Sequence, residues 1–129
     1  MKNINRVIIF SLLVGIVFML FSCDLKNKIG IEERIDMFFD DVNNAPSEVY
    51  TNYHPDAPNY DNVKDYNNTL GQKLPSGNSY SHGAVSVSGD VATTTVSGWT
   101  YTNEPIEFKM KEGDDGWYVW QVTISGATY

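Results

Sequence analysis

The chain has 129 residues, with 16 acidic side chains against nine basic ones and a net charge of −7 at pH 7. That length allows one small domain and no more, and the acidic balance argues against nucleic acid and against a polybasic grip on anionic lipid. A single cysteine has no partner for an internal disulfide.

In chain order, the N-terminus comes first. Lys2 and Arg6 are the only charges before Asp24. Residues 7–21 (VIIFSLLVGIVFMLF) form a 15-residue apolar stretch broken only by Ser11 and Gly15. This suits the apolar region of an export signal and falls short of the roughly 20 residues that a spanning helix needs. The run ends in Leu20-Phe21-Ser22-Cys23, and the chain turns polar at once with Asp24-Leu25-Lys26.

These residues resemble the lipobox of bacterial lipoproteins, an aliphatic residue followed by a variable one, a small one and a cysteine. Leu20, Ser22 and Cys23 match, while Phe21 is bulkier than the strict pattern. The resemblance covers about the first 23 residues. It implies cleavage before Cys23, a diacylglyceryl group on its sulfur, and often a further acyl chain such as palmitate on the new amine. Two or more chains anchor stably where one binds only marginally. The expected organisation is a signal peptide over residues 1–22, a lipidated Cys23 with a tether over 23–30, and a single domain over 31–125. The expected location is the bacterial cell envelope, at the outer membrane or the outer face of the inner one. Removing 22 of 129 residues leaves 107, which keep all 16 acidic and seven of the nine basic residues, hence a net charge of −9.

Beyond the tether, Ile31, Ile35, Phe38, Phe39 and Val42 recur at helical spacing. Glu32, Glu33, Arg34, Asp36, Asp40 and Asp41 are expected largely on the opposite, wet face. Asn43-Asn44-Ala45-Pro46 stops this helix, and a second is expected over residues 47–53. Tyr60, Val63, Tyr66 and Leu70 mark a weaker third helical pattern, with Asn59 as its cap. The period then changes. Residues 79–87 and 91–101 read as strands joined at Ser88-Gly89-Asp90, with Gly98 a candidate bulge. Ile106, Phe108 and Met110 alternate with Glu107, Lys109 and Lys111. Glu112-Gly113-Asp114-Asp115-Gly116 reads as a hairpin loop, and residues 117–124 (WYVWQVTI) as the strongest strand.

The expected class is α+β, with N-terminal helices packed on a curved, cone-like antiparallel sheet of about four strands. The first helix, the Tyr53-His54-Pro55-Asp56 segment and the final hairpin together resemble the nuclear-transport-factor-2-like (SnoaL-like) fold. A cystatin-like, one-helix arrangement is the alternative. In the cone fold the mouth between helices and sheet holds ligands, and some members are isomerases, dehydratases or hydrolases. Tyr50, Tyr53, His54, Tyr60, Tyr66, Trp99 and Trp120 are therefore candidate pocket-lining residues, with Asp61, Asp65 and His82 as further polar candidates. None has a spacing that maps onto an enzyme's motif, so no catalytic role is assigned. One cysteine and two separated histidines give no metal-ligand spacing, and the Asp114-Asp115 loop is too short for calcium; no metal or cofactor is expected. The expected function is a membrane-anchored envelope protein binding a small molecule, a peptide or another envelope protein without catalysis. The alternatives are a small cone-fold enzyme and a purely structural interaction domain.

Overall fold

In a computed structural model of the chain, residues 28–77, 79–99 and 103–129 are described. The expected signal segment, Cys23 and the first part of the expected tether lie outside the described residues.

Helix α1 (Ile31–Asn44) begins after Gly30, whose N–H donates to the Glu33 carboxylate at 3.3 Å, half of a capping box. Ile35, Phe38, Phe39 and Val42 are all buried on one face, as their spacing requires. Arg34 departs from the wet face expected for it and is buried too. Its Nε donates to the Trp117 carbonyl at 2.8 Å, and its Nη1 reaches Asn52 at 3.4 Å. The charge is thus buried with partners and stacked over the Tyr118 ring, 4.5 Å from its centroid.

The segment expected as a second α-helix is a 3-10 helix (Pro46–Asn52). Its buried residues, Val49 and Asn52, are three apart and so share one face at three residues per turn. The third helical pattern also breaks up, into α2 (Tyr60–Val63) and the 3-10 turns Tyr66–Asn68 and Leu70–Gln72. Local side chains compete with the helix here. Thr69 Oγ1 donates to the Asp65 carbonyl at 2.8 Å, and Asn68 Nδ2 bonds the Asp65 carboxylate at 3.0 and 3.1 Å. The apolar positions Val63, Tyr66 and Leu70 are nonetheless buried.

The rest is one antiparallel sheet of β1 (Ser81–His82), β2 (Ser86–Ser88), β3 (Val91–Ser97), β4 (Ile106–Gly113), β5 (Gly116–Ile124) and β6 (Ala127–Thr128). The order is β1-β3-β4-β5-β6, with β2 also paired to β3. The α+β class thus holds, with six strands in place of about four. The expected strand over 79–87 divides at Gly83, and a two-residue β6 follows the tight turn at Ser125-Gly126, where both φ values are positive. Gly98 is not a bulge within a strand; it follows β3 with φ of 83°. The final hairpin loop is shorter than expected, because Gly113 and Gly116 already pair across it. Ile29 pairs with Gly116, so the packed unit starts before α1, and it runs through β6.

The core lies between α1 and one face of this sheet. Ala92, Val96, Ile106, Phe108, Met110, Val119, Val122 and Ile124 supply the sheet side. Phe38 sits centrally, with its ring 5.3 Å from those of both Phe39 and Phe108 and 6.3 Å from Tyr53. All four of these aromatic residues are at most 1% exposed, so large side chains fill the space between α1 and the sheet.

Candidate functional site

The sheet face turned away from α1 is built by β3, β4 and β5. Thr93, Thr95, Glu107, Lys109, Gln121 and Thr123 project from it, and with Ala84 and Ser86 they line an open depression of about 380 Å³. Alternation in β3 and β4 places these residues opposite the buried Ala92, Val96, Phe108 and Met110.

A bulge widens this surface. Lys109 pairs with Gln121 while Met110 pairs with Val119, which leaves Trp120 as the extra residue in β5. The burial pattern shows the consequence, since Trp120 and Gln121 are both half-buried between the buried Val119 and Val122. Two consecutive side chains therefore face outward. Lys111 Nζ lies 4.5 Å from the Trp120 ring centroid. The His54 ring packs 5.6 Å from Trp120 and 5.7 Å from Tyr118. His54 is carried there because Tyr53 bridges to Val119 and the His54 N–H donates to the Val119 carbonyl at 2.8 Å. The result is an aromatic shelf of His54, Tyr118 and Trp120 beside a depression of hydroxyl, amide and charged groups. Such a surface offers stacking and hydrogen bonds, the ingredients of ligand binding.

The structure brings only two of the candidate residues, His54 and Trp120, to this surface. Tyr53, Tyr66 and Trp99 are interior residues of the core instead of walls of an open pocket. Each is at most 5% exposed. Trp99 stacks on Phe39 at 4.5 Å and donates to the Pro75 carbonyl at 3.1 Å; the Tyr66 hydroxyl donates to the Leu74 carbonyl. Tyr50 and Tyr60 form an edge-to-face pair at 5.8 Å, with Lys64 over Tyr60. Asp61 is exposed and paired with Lys64 at 2.8 Å, and this hydrogen bond holds the Lys64 ammonium above its usual range. Asp65 is exposed and bonded to Asn68. Cys23 lies outside the described residues.

A histidine–carboxylate pair does exist, between β1 and α1. His82 Nε2 lies 2.9 Å from Asp36 Oδ1, which also accepts the Tyr80 hydroxyl at 2.7 Å. Asp36 was expected on a plain wet face. Desolvation and then the hydrogen bond to Asp36 raise the Tyr80 phenol above its ordinary range. The second ring nitrogen, His82 Nδ1, is buried without a hydrogen-bond partner. The pair ties β1 to α1 through Nε2, while Nδ1 is closed off from solvent. His54 Nδ1 accepts the Asp56 N–H at 3.2 Å. Among the described residues, no group of three His, Cys, Asp or Glu side chains could hold a metal ion.

Tyr53 supplies a test of the core that does not touch the outer face. Its hydroxyl is buried with no partner among the described residues. Burial, and next the neighbouring Tyr66, raise its phenol far above the usual range; burial likewise raises Tyr66. A phenol whose folded pKa is raised contributes fully below the unfolded value of about 10 and loses that contribution as pH climbs above it. Tyr53→Phe should be at least as stable as wild type at neutral pH, by up to about 1 kcal/mol, and should unfold at higher pH in an alkaline titration. Denaturant curves across pH check both; a clear destabilisation at pH 7 would mean that the hydroxyl has a bound partner.

The outward side of β4 was legible as the wet half of an alternating strand, though Lys109 and Lys111 drew no notice as binding residues. Strict alternation in β5 groups Trp120 with Val122 and Ile124 and leaves Gln121 and Thr123 on the other face; the bulge turns Trp120 out to join Gln121. Comparison with known proteins finds no matching family model, no similar curated protein and no similar solved structure.

Proposed function

We propose that this chain is an exported bacterial lipoprotein, acylated at Cys23 and held at the cell envelope, whose domain binds a small molecule, peptide or envelope protein without catalysis. The domain is read as a small cone-type fold of the nuclear-transport-factor-2-like kind whose mouth has been filled. Ligand binding then moves to the outer sheet face. The observation that carries this reading is the β5 bulge, which sets Trp120 and Gln121 side by side next to Tyr118, His54 and the open depression. A bulge that re-aims side chains is a recurrent feature beside binding sites.

The anchor adds a geometric consequence. Ile29 is fixed to the sheet, its N–H donating to the Asp115 carbonyl and its carbonyl accepting the Trp117 N–H, both at 3.0 Å. Six residues from Cys23 to Ile29 span at most about 21 Å. The domain therefore works close to the bilayer, at raised effective concentration for membrane-bound partners. The burial of His82 Nδ1 and the exposure of Asp61 and Asp65 support binding over catalysis.

Nuclear magnetic resonance screening with a general fragment library tests the binding surface. Hits are expected to move the Trp120 indole and the Thr93, Lys109 and Gln121 amides, and Trp120→Ala is expected to weaken them about tenfold or more, the loss typical of an aromatic anchor. Hits that cluster anywhere else on the domain, or that bind Trp120→Ala as well as wild type, would defeat the reading.

A further inference from the structure

The two lateral edges of the sheet are treated differently. The β5 side is closed along its length by Ile29 opposite Gly116, by Tyr53 opposite Val119, and by β6 opposite Thr123 and Ile124. The opposite edge is β1 and β2, both paired inward to β3, and no described residue pairs with its outer side. Natural edge strands are usually guarded by lysine, proline or inward charge. Here none of these is present within β2; the edge is instead kept short, two and three residues, and interrupted at Gly83, which ties back to β3 through its N–H to the Thr95 carbonyl at 2.7 Å.

Two further observations fall on the same segment. Val85 and Val87 are 37% and 56% exposed, two of the few large apolar side chains left open. Val87 lies opposite Ala92, whose side chain is buried, so Val87 continues the apolar inner face of the sheet beyond what α1 covers. The second observation concerns charge. Residues 74–89 contain no Asp, Glu, Lys or Arg, between Lys73 and Asp90. On a strongly acidic molecule, like charges oppose most contacts between two copies. Two copies brought together along this edge would set no Asp, Glu, Lys or Arg of residues 74–89 against each other.

The sequence of the strand also fits its own image. β2 reads Ser86-Val87-Ser88, symmetric about Val87. We propose that this edge is a self-association surface on which two copies of the chain pair antiparallel, β2 against β2, about a two-fold axis at Val87. Val87 then faces its own counterpart, and Ser86 faces Ser88 of the second copy. Such an isologous contact closes on itself and forms a dimer, not a fibre.

The register makes the test specific. Directly opposed residues have Cβ atoms about 4.5–5.5 Å apart, whereas residues offset by two are about 7–8 Å apart. Val87→Cys, Ser86→Cys and Asp61→Cys are made in the full-length chain and oxidised with copper phenanthroline in air. Wild type, whose only cysteine is Cys23, sets the background. The expected result is a disulfide dimer from Val87→Cys forming about tenfold or more faster than from Ser86→Cys or Asp61→Cys. Adding Val87→Lys to the otherwise unchanged chain should abolish the dimer in sedimentation at neutral pH. Equal crosslinking at positions 87 and 61, crosslinking at 87 no faster than background, or a dimer that survives Val87→Lys would each overturn the proposal.

Discussion

Phe38→Ala is expected to cost about 3–5 kcal/mol, the range for removing a large aromatic ring from a packed core. Phe38 has no exposed surface and stands where α1 meets the sheet. Its ring touches Phe39 and Phe108 edge-on at 5.3 Å and lies 6.3 Å from Tyr53, on three different parts of the fold. Truncation removes the contacts among all three and leaves a void that the interlocked rings cannot easily close. A small domain has only about 5–15 kcal/mol of stability in total. The variant should therefore unfold at a much lower urea concentration, with an unchanged denaturant slope. A loss below about 1 kcal/mol would mean that the layers are not packed around this ring.

Gly116→Ala is expected to be nearly as damaging despite adding a single methyl group. Gly116 opens β5 with φ of 119°, a conformation that side chains rarely adopt. A Cβ there would also overlap the backbone of Ile29, against which Gly116 pairs. The methyl must either strain the turn or push Ile29 off the sheet. The second outcome breaks two hydrogen bonds, Ile29 to Asp115 and Trp117 to Ile29. Backbone strain of about 1–3 kcal/mol together with those bonds puts the expected loss at about 3 kcal/mol. Amide hydrogen exchange separates the two effects, because release of the segment would deprotect Ile29 and Trp117 while the Val96 and Phe108 amides stay protected.

The contrast between these two residues also shows what sequence patterns carry. Phe38 belongs to a helical stripe whose members Ile35, Phe38, Phe39 and Val42 are all buried, and the alternation of Ile106, Phe108 and Met110 marks the inner face of β4 in the same way. Periodicity reports such positions because one face of a regular element meets the core. It does not report Arg34, which reads as a wet-face residue until Trp117, Asn52 and Tyr118 arrive from far along the chain. Asp36 does stay on the exposed face, but its contacts with Tyr80 and His82 come from the edge of the sheet and leave no trace in the helical period. The irregular stretch from Tyr60 to Gln72 keeps Val63, Tyr66 and Leu70 inside while losing its helical period to local side-chain bonds. Of the candidate site, His54 and Trp120 were visible as residue types. Their meeting depends on a bulge and on a bridge between Tyr53 and Val119, and neither has a local signature.

In the proposed reading Cys23 decides where the domain works, and the most direct measurement is metabolic labelling of cells with a fatty-acid analogue, comparing wild type with Cys23→Ala. Membrane fractionation alone is a poorer guide, since an uncleaved apolar segment over residues 7–21 would also hold the variant at the membrane. The account predicts label on a wild-type chain that begins at Cys23, and an unlabelled, longer chain from Cys23→Ala. Equal labelling of the two, or a wild-type chain that carries no lipid, would contradict it.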